Sequence, residues 1–129
     1  MKKIDIPIKP MSINTAWQGR RYKTKKYKQY EQDVGLTVSR GTPYKGEVIS
    51  LAVFFIHNYG NTDAGNLEKP LTDIIDKLDY LDDDRTIKWN NQIKVRAEDK
   101  QSQRTEVYIA PNTVKGHNDI TSVIESFLF

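Results

Sequence analysis

The sequence predicts an α+β fold: one domain, residues 1–129, with a mixed β-sheet packed with helices. Two observations carry this. Apolar residues recur with period two in several short segments, and with helical spacing in three others. The order that results is strand, helix, strand, helix, strand, strand, helix, which is neither a pure bundle nor a pure sandwich. At 129 residues there is chain for one core and not for two.

Each element has a local reason. Lys3-Ile-Asp-Ile-Pro-Ile8 alternates apolar and polar residues and predicts the first strand. Pro10 to Gly19 reads as a loop. Thr24 is an N-cap for a helix carrying Tyr27, Tyr30, Val34 and Val38 on one face, ended by Gly41-Thr-Pro43. Gly46 to His57 is β-branched, aromatic and almost continuously apolar, as a buried central strand must be. Asn58 to Thr62 is a loop. Asn66 is the expected cap of a second helix with Leu67, Leu71, Ile74, Ile75 and Leu78 as its apolar stripe. Pro70 requires that this helix start near Leu67 or Glu68, so that the missing N–H falls in the first turn. Lys69, Asp73 and Asp76 then share its outer face. Residues 79–84 form a connector that, if extended, runs back about 20 Å along the helix. Gln92–Ala97 and Thr105–Ile109 alternate again around the polar turn Asp99–Arg104 and predict an antiparallel hairpin. Ile120, Val123, Ile124 and Phe127 make a short C-terminal helix capped by Asn118 or Asp119.

Composition narrows the function classes. There is no cysteine, hence no disulfide framework and no thiolate metal site, which fits a reducing, cytoplasmic setting. The longest apolar stretch, Val48–Ile56 with one serine, is too short to cross a bilayer, and no apolar segment follows the charged start Met1-Lys-Lys. His57 and His117 have no acidic or histidine partner at zinc spacing and read as non-functional.

Charge is the informative feature. The net charge of +3 hides a strong asymmetry. Residues 63–84 hold eight acids (Asp63, Glu68, Asp73, Asp76, Asp79, Asp82, Asp83, Asp84) against Lys69 and Lys77, a local charge of −6. Residues 1–45 hold eleven bases against three acids, or +8. Arg20, Arg21, Lys23, Lys25, Lys26 and Lys28 are concentrated there, interleaved with Trp17, Tyr22, Tyr27 and Tyr30. Cations draw in a phosphate backbone, and exposed aromatics stack on bases, although most of these four are expected in the core. Carboxylates brought together repel unless a cation lies between them. An all-oxygen set suits Mg²⁺ or Mn²⁺, which can activate water at a phosphodiester. Lys69, in the first turn of its helix, is placed to steady developing negative charge or to orient that water. The bland alternative for Asp82-Asp83-Asp84 is a solvated loop, and the run lacks the spacing of a calcium-binding hand.

The pattern Asp63-x-x-Asn66-Leu-x-Lys69-x-x-x-Asp73-x-Ile75, followed by Tyr80-Leu-x-Asp83-Asp84-x-x-Ile87, closely resembles the signature of the RusA-type Holliday junction resolvases. The match runs without a gap over about 25 residues; elsewhere the likeness is one of composition and element order. The resemblance implies a small homodimer that binds four-way DNA junctions and makes paired, Mg²⁺- or Mn²⁺-dependent cuts in opposing strands, often encoded by a phage or prophage. It implies Asp63 and Asp84 as metal ligands, Asp83 as an adjacent acidic helper and Lys69 as the catalytic lysine. The basic N-terminal third, Arg20 to Lys28 above all, would hold the DNA arms. Asp63 and Asp84 can share one metal cluster only if they lie within about 10 Å of each other.

The chain departs from the signature at one position. The family's Asp-x-Asp has Gly65 as its second member here, and glycine offers no carboxylate. Three accounts are open: Glu68 or Asp83 fills the gap, the chain binds junctions but cuts weakly or not at all, or Gly65 is an introduced inactivating change. Two other readings stand beside the nuclease. One is a resolvase homologue acting as a DNA-binding or regulatory protein. The other is an adaptor that uses the acidic loop to hold a protein.

Overall fold

The computed structural model describes residues 1–18, 22–81 and 86–129, and of Trp17, Gln18 and Asn61 the backbone only. It is an α+β fold. Strand β1 (Lys2–Ile6) leads through a short helix α1 (Ile13–Ala16) to the two-residue strands β2 (Trp17–Gln18) and β3 (Tyr22–Lys23), which pair with each other. Helix α2 (Lys25–Thr37), strand β4 (Val48–Ile56), helix α3 (Gly65–Lys77), strands β5 (Ile87–Arg96) and β6 (Arg104–Pro111) and helix α4 (Val114–Leu128) follow. Among the described residues the main sheet has the order β1-β6-β4-β5. β4 pairs parallel with β5, and β6 pairs antiparallel with both β4 and β1.

The two faces of β4 feed two cores. Val48, Ala52, Phe54 and Ile56 meet α2 and α3 on one side, with Tyr27, Tyr30, Val34, Leu67, Leu71, Ile74 and Ile75. Ile49, Leu51, Val53 and Phe55 meet Ile120 of α4 on the other, where Phe127 stands edge-on to Phe55 at 6.0 Å. Alternate side chains of a strand point to opposite faces, so a strand covered on both sides must be apolar throughout. All nine residues of β4 are buried, as the continuous apolar run predicts.

Several local expectations hold. Thr24 caps α2, its side-chain oxygen accepting the Tyr27 N–H at 3.2 Å, and the apolar stripe of α3 is buried from Leu67 to Leu78.

Other expectations are corrected. The segment 92–97 does not form a hairpin with 105–109. β4 lies between them, because β6 is buried from Thr105 to Ala110 and takes an interior slot, whereas the half-polar β5 takes the edge. Period two is common to both strands and does not say which one lies inside. β5 also starts five residues earlier than Gln92, and β1 ends at Ile6, before Pro7. The loop expected over 10–19 contains α1, at whose start Ser12 Oγ accepts the Asn14 N–H.

Helix α4 begins at Val114, with Thr113 as cap, not Asn118 or Asp119. Helix α3 begins at Gly65, so Asn66 lies inside it and Pro70 falls at its sixth residue. There Pro70 removes the N–H that would pair with the Asn66 carbonyl, at a cost its own full burial offsets. Residues 78–80 form a turn, and residues 82–84 of the expected connector lie outside the described residues. Asp79 is left-handed (φ 64°), and Leu81 bridges to Tyr44.

Candidate functional site

The segment that carries Asp63 is held from the edge strand. β4 ends at Ile56, and the chain passes through a 3-10 turn at Tyr59–Asn61 before α3. Lys94 of β5 reaches across and donates to the carbonyls of Tyr59 and Thr62, both at 2.7 Å. Its ammonium also lies 4.3 Å from the centre of the Tyr59 ring, and the Arg96 guanidinium lies 5.0 Å from the same ring. Asp63 emerges from this clamp exposed to solvent at the head of α3. The Gly65 N–H donates to its Oδ1 at 2.9 Å, and the Asn66 N–H donates to its backbone carbonyl at 3.1 Å. The carboxylate thus meets the positive end of the helix, while Oδ2 accepts no hydrogen bond among the described residues.

Lys69 and Asp73 form an i,i+4 pair at 2.9 Å. Asp73 also accepts from the Tyr27 hydroxyl of α2 at 3.5 Å, so it faces the neighbouring helix and is only half exposed. Glu68 turns the other way. Its carboxylate accepts from the side-chain amides of Asn90 and Gln92 on β5, and Asn90 in turn accepts from Ser50 Oγ at 3.0 Å. Both Glu68 oxygens are therefore engaged with the sheet.

This polar row is the part of the site that the sequence reading missed. A bulge at the start of β5 pairs Ile87 with Val48 but Trp89 with Ile49, which leaves Lys88 over. Asn90, Gln92, Lys94 and Arg96 then fall in register with Ser50, Ala52, Phe54 and Ile56, on the α3 side of the sheet. Four polar residues at every second position were a visible signal. What was missing was that α3 leaves this edge uncovered enough for them.

Asp83 and Asp84 lie outside the described residues, as do Arg20, Arg21 and the Trp17 side chain. Among the described residues no three His, Cys, Asp or Glu side chains come together as a metal-holding group. Asp63 fits as one oxygen ligand for a hard cation through its open Oδ2; Mg²⁺ commonly takes one or two carboxylates and fills its shell with water and phosphate oxygens. At Gly65 a Cβ would stand 3.3 Å from Asp63 Oδ1 with no other obstruction among the described residues, and the backbone there is not left-handed. The position can carry a side chain, and that side chain would start beside Asp63. His57 is exposed. His117 accepts or donates at 2.8 Å with Asn112 and packs on Trp89, with ring centres 5.1 Å apart, on the α4 side of the sheet.

The basic surface is partly committed to the fold. Lys23 pairs with Glu31 at 2.9 Å, and Lys77 of α3 joins the same carboxylate. Lys25, Lys26 and Lys28 are exposed. The contacts Tyr27–Asp73 and Glu31–Lys77 run in the same sense, so α2 and α3 lie side by side in parallel, with the lysine-rich start of α2 directed towards the Asp63 end of α3. Tyr27 and Tyr30 are buried, as expected of most of the aromatics, and Tyr22 is exposed.

Burial pushes the Glu31 carboxyl up, but hydrogen bonds from Lys77 and Lys23 outweigh it and hold the group below its ordinary value of 4.5. A carboxylate depressed in the folded state stabilises the fold above its unfolded pKa and loses that contribution as pH falls through the folded one. The urea midpoint is therefore expected to drop as pH falls below 4.5, and Glu31→Gln should flatten that part of the profile. A variant with the full acid sensitivity of the parent would show that Glu31 does not tie α2 to α3.

Comparison with protein-family models finds no match, and comparison with curated proteins finds none either. No described helix is long and apolar enough to cross a membrane.

Proposed function

We propose that the chain is a RusA-type, structure-selective endodeoxyribonuclease that binds four-way DNA junctions as a homodimer and cuts opposing strands with Mg²⁺ or Mn²⁺. The observation that carries the reading is the presentation of Asp63. It is an exposed carboxylate with one oxygen fixed by a backbone N–H and the other open among the described residues, at the head of the helix that bears the matching Asn66, Lys69 and Asp73. The exposed lysines at the start of α2, of which Lys26 shares a groove with Thr62 and Leu67, supply phosphate contacts. In this reading Asp63 and Asp84 hold the metal, with Asp83 beside them, and Lys69 acts on the scissile phosphate once phosphate competes with Asp73 for its ammonium.

Gly65 favours a second reading, a homologue that binds junctions without cutting them. A labelled synthetic junction incubated with Mg²⁺ or Mn²⁺ separates the two. Paired, metal-dependent cuts that disappear in Asp84→Asn are the expected result for the enzyme. Salt-sensitive binding with no cuts supports the second reading, and no affinity for DNA overturns both.

A further inference from the structure

We infer that the groove between the 8–12 segment, the start of α2 and the 57–62 loop is a binding site for one unstacked nucleotide of a DNA strand. The groove encloses about 520 Å³, within the range of roughly 300–1,000 Å³ usual for small-ligand sites. Its walls divide by chemistry. Ile8, Met11, Ile56 and Leu67 form an apolar side against which a base can lie. Lys9 and Lys26 stand exposed on its lining, and neither has an ion-pair partner among the described residues. Asp33, the single acid among the described residues of the lining, is already taken by the Gln29 amide at 2.7 Å.

Tyr30 adds a hydrogen-bond donor to this lining. Tyr30 lines the groove, is only 4% exposed, and its hydroxyl makes no hydrogen bond among the described residues. Among the described residues the buried side-chain atoms without a partner are Asn91 Nδ2 and Thr105 Oγ1, so the Tyr30 hydroxyl is reached by solvent and is free to donate to an occupant. The other polar side chain there with low exposure, Gln103, is satisfied on both sides, by the His57 N–H and the Lys100 carbonyl. Burial raises the Tyr30 phenol well above its ordinary value, so it stays protonated and can donate to a carbonyl on a base edge.

The chemistry selects the occupant. Two cations select an anion, and an apolar wall beside a hydroxyl selects a flat group with a polar edge. A base stacked and paired in a duplex cannot enter; an unpaired one can. Thr62 and Leu67 belong to the lining and Asp63 lies between them in sequence, so a strand with one base in the groove has its backbone close to Asp63. That last step rests on the nuclease reading above; the site itself does not.

The test is fluorescence anisotropy of a labelled tetrathymidylate in metal-free buffer, with a blunt duplex of equal charge as control. Tetrathymidylate should bind more tightly than the duplex. Tyr30→Phe should weaken it about 3- to 10-fold, the worth of one hydrogen bond, without lowering the urea midpoint. The double variant Lys9→Gln, Lys26→Gln should reduce the slope of log K against log salt by about 1.4, or about 0.7 per single-strand phosphate. No binding by the parent chain, parent-like binding in both variants, or equal competition by an oligoglutamate peptide would overturn the inference. Because the assay uses neither metal nor junction, a failure of cleavage leaves its result intact, and the reverse also holds.

Discussion

Gly65→Asp is expected to raise metal-dependent cleavage of a four-way junction by about 100-fold or more over the parent chain, the scale on which one preorganised charged group acts at a reacting centre. The position is sterically prepared for the change. Among the described residues a Cβ there approaches only the Asp63 carboxylate, at 3.3 Å, and the helix backbone accepts an L residue. An acid in the first turn of α3 also suits the helix dipole. The new carboxylate and Asp63 would stand in contact distance and repel each other without a cation. Two further results follow from that repulsion. The metal-free variant should unfold at lower temperature than a Gly65→Asn control of the same size. It should also gain more from added Mn²⁺, since a ligand that binds only the folded state raises its midpoint. Asp63→Asn placed on top of Gly65→Asp should remove both gains. If Gly65→Asp neither cuts nor shows a larger Mn²⁺-dependent thermal shift than the parent, the carboxylate pair is not a metal site.

Gly116→Ala should cost about 3 kcal/mol of stability, the upper end of what overpacking does. Helix propensity alone points the other way, since alanine exceeds glycine by about 1 kcal/mol inside a helix. The contact decides the sign. A Cβ on Gly116 would overlap the Pro111 carbonyl oxygen and stand 3.1 Å from its carbon, and both atoms are backbone at the end of β6. Backbone cannot swing aside as a side chain can. The first turn of α4, capped by Thr113 through the Gly116 N–H, would have to lift from the sheet. Ile120 and Phe127 lie further along the same helix and would lose contact with Phe55 and its neighbours. Urea unfolding of Gly116→Ala beside Gly35→Ala makes the comparison. A Cβ on Gly35 in α2 would meet nothing within 4 Å among the described residues, so alanine there should stabilise. Equal behaviour of the two variants would show that α4 tolerates displacement from β6.

Which parts of this were legible in the sequence follows from the range of each force. Thr24 capping α2, the stripe Leu67–Leu78 and the buried run of β4 rest on neighbours within a turn or a pleat, and those are written in consecutive residues. The charge division between the acidic 63–84 segment and the basic first third is likewise a property of the chain alone. So is the motif from Asp63 to Asp73, although Asn66, the expected cap, lies inside the helix, and Asp63 accepts the N–H of its first residue.

Tertiary structure decided the rest. Both β5 and β6 alternate, yet only the competition for an interior slot beside β4 puts β6 inside and β5 at the edge. That choice, with the bulge opposite Val48, turns Asn90, Gln92 and Lys94 towards α3. There they bind Glu68 and the carbonyls of Tyr59 and Thr62, and so hold the loop that presents Asp63. Periodicity reports which residues share a face. Which strand becomes a neighbour depends on burial summed over the whole sheet, and no window of the sequence contains that sum.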